Sequence, residues 1–252
     1  MAESTVVLIT GVNKGIGRGM AEIYLRRPNY QVIGSVRDDT TDEVAELKKF
    51  QPAEGSKLLL VHIESTSPED PKKAAEAVEA AGIDHVDIII ANAGGAVFPI
   101  SPIETISNED VVWAFQTNAA APLGLFQAFR HLLKKSKSPR WASITSSGGC
   151  VSQVGQMKSY IVVAYGMSKA AQNFMTQSLA FSQQDWLTVL DIHPGHARTG
   201  PGNWIAQQFG QEQAPYTIEE VAAAVIETVE TTKQEDALGK IIHALDKKVL
   251  PF

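Results

Sequence analysis

Tyr165 and Lys169 stand four residues apart in AYGMSKAAQNFMTQSLA, a stretch with the look of a helix. On a helix, residues at this spacing share a face with Cβ atoms roughly 6 Å apart, so a phenol comes within reach of an ammonium. A free tyrosine has a pKa of about 10 and hardly ionises at neutral pH. A fixed cation nearby favours the phenolate, and a phenol tuned in this way can pass a proton to or from a substrate oxygen. The spacing alone is weak, because tyrosine–lysine pairs at this distance also arise by chance. Its weight comes from what lies upstream.

A glycine-rich turn follows the first apolar run. TVVLIT at 5–10 leads into T-G-V-N-K-G-I-G at 10–17, which sets Gly11, Gly15 and Gly17 directly before a helical pattern. Glycine permits a tight turn and lets a pyrophosphate approach the helix N-terminus. The spacing is G-x-x-x-G-x-G, so the G-x-G-x-x-G fingerprint is not met, and a purely structural turn is the competing reading. The end of the second apolar run selects the nucleotide. An NAD site commonly places an acidic residue there for the ribose hydroxyls, whereas this chain closes S-V-R-D, with Val36 followed by Arg37. Lys14, in the glycine turn, is expected to face the same phosphate. Two cations suit a 2′-phosphate, and a guanidinium adds planar bidentate geometry. NADP(H) is therefore the expected cofactor. Asp38 is the complication, since it could pair with Arg37 or point into solvent.

The elements that must position these residues are legible as an alternation. Apolar runs at 5–10, 31–36, 57–63, 86–90, 141–145, 187–192 and 240–244 read as strands, and helical patterns lie near 16–27, 41–50, 69–81, 108–135, 165–184 and 218–231. Runs without polar alternation predict strands buried on both faces, as in a parallel sheet. The β–α alternation then predicts an α/β fold, a Rossmann-type doubly wound sheet of about seven strands with helices on both faces. No repeat, low-complexity tract or linker divides the chain, so 1–252 reads as a single domain. The segment 194–217, rich in proline and glycine, breaks the rhythm. It reads as a lid, or else as a surface excursion over a strand edge.

Composition bounds the partners. With 252 residues and 44% hydrophobic content the chain can bury a substantial core. A net charge of −6 argues against a nucleic-acid partner. The densest basic run, KKSKSPR at 134–140, reads as a solvated helix end before a turn. The one cysteine, Cys150, excludes an internal disulfide and fits a reducing compartment. MAEST begins acidic and polar, unlike a secretory signal, and no apolar stretch is long enough to span a membrane. A soluble, cytoplasmic protein with no membrane partner is expected.

At this point the chain resembles the short-chain dehydrogenase/reductase family over nearly its whole length. The resemblance rests on ordered motifs: T-G-V-N-K-G-I-G at 10–17, A-N-A-G at 91–94, Asn118 in T-N-A-A-A-P, S-S-G-G at 146–149, Y-G-M-S-K at 165–169 and P-G-H-A-R-T at 194–199. Six motifs in the right order are highly specific. The N-terminal third, with YLRRPNYQVIGSVRD and ESTSPEDP, is most similar to fungal polyketide ketoreductases of the norsolorinic acid reductase type.

The resemblance implies a catalytic set of Asn118, Ser147, Tyr165 and Lys169. Tyr165 would be the general acid for carbonyl reduction and the base for alcohol oxidation. Lys169 would lower its pKa and bond the nicotinamide ribose, Ser147 would hold the substrate oxygen, and Asn118 would anchor a water linking Lys169 to solvent. Ser146 rivals Ser147, since either could follow the strand, and Asn118 could instead satisfy backbone groups in a helix kink. The cofactor would lie along Gly11, Asn13, Lys14, Gly15, Ile16, Gly17, Arg37, Glu64, Asn92, Ala93 and Gly94, reaching Tyr165 and Lys169. Pro194, Gly195, Ala197 and Thr199 would border its nicotinamide. A homodimer or homotetramer is implied as well.

Departures from the family pattern matter. Ser147 and Tyr165 are further apart than is common in the family, which lengthens the loop QVGQMKSYIVV beside the substrate. Glu64 stands where an aspartate usually meets the adenine, with His62 as an alternative match, and Ala91 stands where asparagine is more usual. Histidines 62, 85, 131, 193, 196 and 243 show no convincing metal arrangement. Trp113, Phe115, Phe126 and Phe129 on the long helix read as core or subunit-contact residues. The leading expectation is an NADPH-dependent ketoreductase acting on a small or medium hydrophobic carbonyl compound. An alcohol dehydrogenase working in the oxidative direction is the runner-up, and a non-catalytic NADP(H)-binding regulator the reading from another class.

Overall fold

The computed structural model describes residues 4–252. Its eight strands are β1 (Thr5–Thr10), β2 (Tyr30–Val36), β3 (Lys57–His62), β4 (Ile88–Ala91), β5 (Arg140–Ile144), β6 (Thr188–His193), β7 (Ile241–His243) and β8 (Val249–Leu250). They form one sheet in the order β3-β2-β1-β4-β5-β6-β7-β8. All neighbours pair in parallel except β8, which runs antiparallel to β7. The sheet therefore has eight strands where about seven were expected. The extra one is only two residues long, too short to carry a hydrophobic period.

Burial explains why the strands lack polar alternation. Along β1, Val7 and Ile9 enter one core while Val6 and Leu8 enter the other. β4 repeats this, with Ile88 and Ile90 on the first side and Ile89 and Ala91 on the second. The first core is covered by α1 (Gly15–Leu25) and α8 (Ile218–Thr231), through Met20, Tyr24, Val221 and Val225. The second is covered by α3 (Asp70–Ala80), α5 (Ala121–Leu133) and α6 (Val163–Ser182). At its centre Phe126 meets Trp141 edge to face at 5.7 Å, and each such side chain removed from water contributes roughly 1.5–3 kcal/mol.

Two helical expectations change. The stretch 108–135 is not one helix. α4 (Asn108–Phe115) passes through a π-helical turn at Gln116–Ala120 into α5. Pro122 has no N–H to give the Asn118 carbonyl in α-helical register. The second change lies in 194–217, where α7 (Gly200–Gln208) occupies the middle of the expected loop. Thr199 caps it by accepting from the Gly202 amide at 3.1 Å, and Pro201 sits in its first turn. The remaining helices are α2 (Asp42–Lys48) and the short α9 (Gln234–Ala237).

The order of strands fixes where a site can form. The chain goes outward from β1 to β3, then returns beside β1 with β4, so the sheet's direction of growth reverses between β1 and β4. Ligands of such sheets bind in the crevice beyond the carboxyl ends of the strands at that reversal.

Candidate active site

At the reversal, β1 ends in the glycine turn. Gly11 and Gly15 take φ of +74° and +62°, a region that only glycine adopts at little cost. Gly17 matters by its size: a Cβ there would lie 2.2 Å from the Gly11 carbonyl oxygen and 2.5 Å from Asn92 Nδ2. The turn is tied to β4, because Thr10 Oγ1 accepts from the Asn92 and Ala93 amides at 3.0 and 2.9 Å. α1 starts with no side-chain cap and no acidic residue in its first turn. Its amide groups stay free for an anion.

Arg37 follows β2, and Glu64 lies just past β3; the guanidinium and carboxylate approach to 4.0 Å. Asp38 does not pair with Arg37. Its carboxylate accepts from the Thr40 amide and hydroxyl at 2.9 and 2.6 Å, which lowers its pKa. Lys14 is exposed at the mouth of the turn.

Tyr165 and Lys169 occupy the first turns of α6, with the ammonium 5.8 Å from the phenol ring centre. Lys169 is 4% exposed and donates to the Ile144 carbonyl at 2.8 Å and Gln172 Oε1 at 2.7 Å. Burial disfavours both charged forms. It pushes the phenol above its ordinary value, opposed by a hydrogen bond with Ser146. It draws Lys169 down to about 8, opposed by the buried carboxyl of Asp191. Lys169 is not among the groups that move the phenol here. Here the phenol rises with burial, and Ser146 is the group that counters it.

Both serines line the cavity, and Ser146 is the one that acts on the phenol. Ser146, at the end of β5, faces Tyr165, and its hydroxyl also accepts from the Gly148 amide at 3.0 Å. Ser147 opens the next turn, and its amide donates to His193 Nδ1 at 3.3 Å. Neighbouring residues leaving a strand point in different directions, and the pattern S-S could not say which one faced α6.

Asn118 sits within the π-helical turn and is fully buried. Its Oδ1 accepts from the Gly95 amide at 2.9 Å, and its Nδ2 donates to the Gly95 carbonyl at 2.8 Å and Ser168 Oγ at 2.9 Å. The side chain is spent on clamping the loop after β4 to α6. Gly94 is held close: a Cβ there would lie 2.7 Å from Asn118 Oδ1 and 3.6 Å from Lys169 Nζ.

Part of this set lines a cavity of about 440 Å³, from which Asn118 is set back. Ile16, Asn92, Gly94, Pro194, Gly195, Ala197 and Thr199 line it with Ser146, Ser147, Tyr165 and Lys169. Gly11, Asn13, Lys14, Gly15, Gly17 and Ala93 stand back from the lining around the glycine turn, and Arg37 and Glu64 stand further out. The apolar wall comes from three segments that meet around it. Phe98 packs edge to face on Trp204 at 5.5 Å, and Lys158 Nζ lies 5.7 Å from the Phe209 ring centre. Sequence reasoning missed Gln172, three residues beyond Lys169 on the same helix, and His193, whose place in the wall depends on a ring from β7. Among the described residues, no His, Cys, Asp or Glu side chains converge in threes as a metal site would, and no helix is long and apolar enough to cross a membrane.

A glycine turn at a sheet reversal, with a half-buried tyrosine and a buried lysine on α6 lining the same cavity, defines a nucleotide-dependent oxidoreductase site. Residues 5–208 match the family model for short chain dehydrogenase, and the chain belongs to that family of oxidoreductases. It is 48% identical over the full length of both chains to the short-chain dehydrogenase RED3 of Pyricularia oryzae. It is 34% identical to a norsolorinic acid ketoreductase of Aspergillus parasiticus, with 99% of this chain and 92% of that one covered. Among solved structures, an NADPH-bound carbonyl reductase from chicken fatty liver shares the fold, with a TM-score of 0.86, 24% identity, and 100% and 96% of the two chains covered.

Proposed function

We propose that the protein is an NADPH-dependent ketoreductase that reduces small or medium hydrophobic carbonyl compounds, polyketide-like in character, to alcohols. It acts in the cytoplasm as a homodimer or homotetramer. The observation that carries the reading is that Tyr165, Ser146 and Lys169 line one cavity that also takes Ile16 of the glycine turn and an apolar set of Phe98, Trp204 and Phe209. The names of the ketoreductase relative and the NADPH-bound structural neighbour point the same way.

The residues fit a dinucleotide. The uncapped start of α1 suits the pyrophosphate, and Gly17 leaves the room that a side chain would fill. Arg37 and Lys14 suit a 2′-phosphate. Bound there, NADPH would supply the hydride. Tyr165 Oη gives a proton to the substrate oxygen as negative charge builds on it, and burial keeps that proton in place until then. Ser146 Oγ holds the same oxygen. Lys169, still mostly charged at neutral pH, stabilises the phenolate left behind. A water anchored by Asn118 returns the proton from solvent. The apolar wall keeps other water away from the reacting atoms.

Exposed apolar side chains support self-association. Phe174, Phe181 and Met167 on α6 are 78%, 54% and 55% exposed, and Phe115 on α4 is 50% exposed. Such faces fit a two-fold contact.

The test is NADPH consumption by the purified protein over a panel of hydrophobic ketones, aldehydes and quinones. Turnover of ketones with NADPH, and much less with NADH, is expected. No turnover of any carbonyl compound would contradict the reading.

A further inference from the structure

His193 is the last residue of β6 and lines the cavity beside Ser146 and Tyr165, yet the proton transfer above makes no use of it. Its ring is held from two directions. The Ser147 amide donates to Nδ1 at 3.3 Å. On its face it stacks on His243, with ring centres 5.1 Å apart and 25° between the planes. His243 is itself fixed, because its Nδ1 bonds the Asp246 carboxylate. Gly195 adds to the close fit: with φ of +98°, any Cβ there would lie 2.5 Å from Leu245 Cδ1 and 3.4 Å from His243 Nε2.

A ring in this position has one donor to offer. Burial, together with the neighbouring His243 and His196, holds the His193 pKa down to about 3 against an opposing pull from Asp246. The imidazole is therefore neutral. With Nδ1 accepting from Ser147, its single proton sits on Nε2. Nε2 has no hydrogen-bond partner among the described residues, and it is not one of the buried polar atoms closed off from solvent. Consecutive residues link this ring to the acid within one cavity: Ser146 acts on the phenol, and the Ser147 amide holds Nδ1 of the imidazole. Phe98, Ile100, Trp204, Ile205 and Phe209 supply apolar lining to the same cavity. A ligand that covered Nε2–H without an acceptor would leave it unpaired, and sites built to hydrogen-bond a ligand oxygen discriminate against analogues that lack it.

We propose that His193 is a specificity-determining residue. Its Nε2–H binds a second oxygen of the substrate, close to the carbonyl being reduced. The cavity therefore selects carbonyl compounds with a neighbouring oxygen acceptor, such as 1,3-diketones and β-hydroxy ketones, over mono-ketones of the same skeleton. This deepens the ketoreductase reading and rests on it.

The experiment uses the purified enzyme with NADPH and matched pairs, a 1,3-diketone and the mono-ketone of identical carbon skeleton. The quantity read is the ratio of their kcat/KM values in wild type, His193→Leu and His193→Gln, alongside the NADPH Kd of each. Wild type should favour the diketone. His193→Leu should reduce that preference by roughly tenfold, the size of one neutral hydrogen bond. His193→Gln, which keeps a side-chain N–H, should restore part of it, and it carries the test if the leucine variant does not fold. NADPH Kd should be unchanged. An unaltered ratio in both variants overturns the proposal. So does an NADPH Kd weakened in step with the loss of activity, which would make His193 a cofactor residue. Failure of wild type to reduce either ketone is a different result, and it overturns the ketoreductase reading together with this one.

Discussion

Arg37 and Glu64 face one another across the ends of neighbouring strands, 4.0 Å apart and 67% and 37% exposed. An ion pair this open to water contributes little, so the guanidinium can be drawn to a phosphate at small cost. A charge-assisted hydrogen bond to a phosphate is worth about 1.5–3 kcal/mol, less where water screens it. Arg37→Ala should therefore weaken NADPH binding roughly ten- to a hundredfold and leave NADH nearly unchanged. Glu64→Gln removes the competitor and should tighten NADPH binding. Titration of both cofactors into each variant checks this, and equal weakening of NADPH and NADH by Arg37→Ala would assign the arginine to the fold or the adenine side.

The adjacent serines should separate in kinetics. Ser146→Ala removes the hydroxyl that meets Tyr165 and should lower kcat about a hundredfold, in the range of other groups that stabilise a reacting oxygen. Ser147→Ala keeps the amide that bonds His193 and should cost far less. Steady-state kinetics on the two variants decides, and the reverse order would restore Ser147 to the role that sequence reasoning gave it.

Lys169 sets the alkaline limb. Its pKa near 8 means that the charge stabilising the phenolate is lost as pH rises through that value, while Tyr165 stays protonated well beyond it. Reduction should slow above about pH 8, and Lys169→Arg, which does not titrate there, should move that limb upward. Stability has the opposite sign. Between about 8 and the ordinary lysine value of 10.5, the unfolded chain binds a proton that the folded chain has released, so this residue's contribution to stability rises with pH. Single-turnover rates and urea unfolding across this range measure the two effects.

Self-association should depend on the outer face of α6. Sedimentation should find a dimer or tetramer at micromolar concentration, and Phe174→Glu with Phe181→Glu should shift it to monomer without loss of helical signal. A wild-type monomer would contradict the assignment.

The strands of this fold were legible because burial on both faces leaves uninterrupted apolar runs, as in Ile88–Ala91. α7 was hidden because Gly200, Pro201 and Gly202 read as breakers, although Thr199 caps that very sequence into a helix. The π-helical turn was hidden because the apolar pattern of 108–135 continues through it, and only Pro122 marks the change. In the site, helical spacing picked out Tyr165 and Lys169 as a pair, but it took the ordered motifs upstream to give that pair weight. The choice between Ser146 and Ser147 was not, since it depends on which way the chain leaves β5. His193 was out of reach for a similar reason: its tautomer and orientation come from Ser147 and His243, which only the folded sheet brings to it.

The central claim is that Tyr165 is the proton donor, and Tyr165→Phe tests it most directly. The ring remains and only the hydroxyl goes, so the fold and the NADPH Kd should be preserved while kcat for ketone reduction falls by about 10²–10⁴, the usual span for a general acid. Measuring NADPH affinity and kcat on the same preparation gives both halves of the answer. Unchanged affinity with near-complete loss of turnover is the predicted result. A variant that keeps more than about a tenth of the wild-type kcat, well above what loss of a general acid allows, would contradict it.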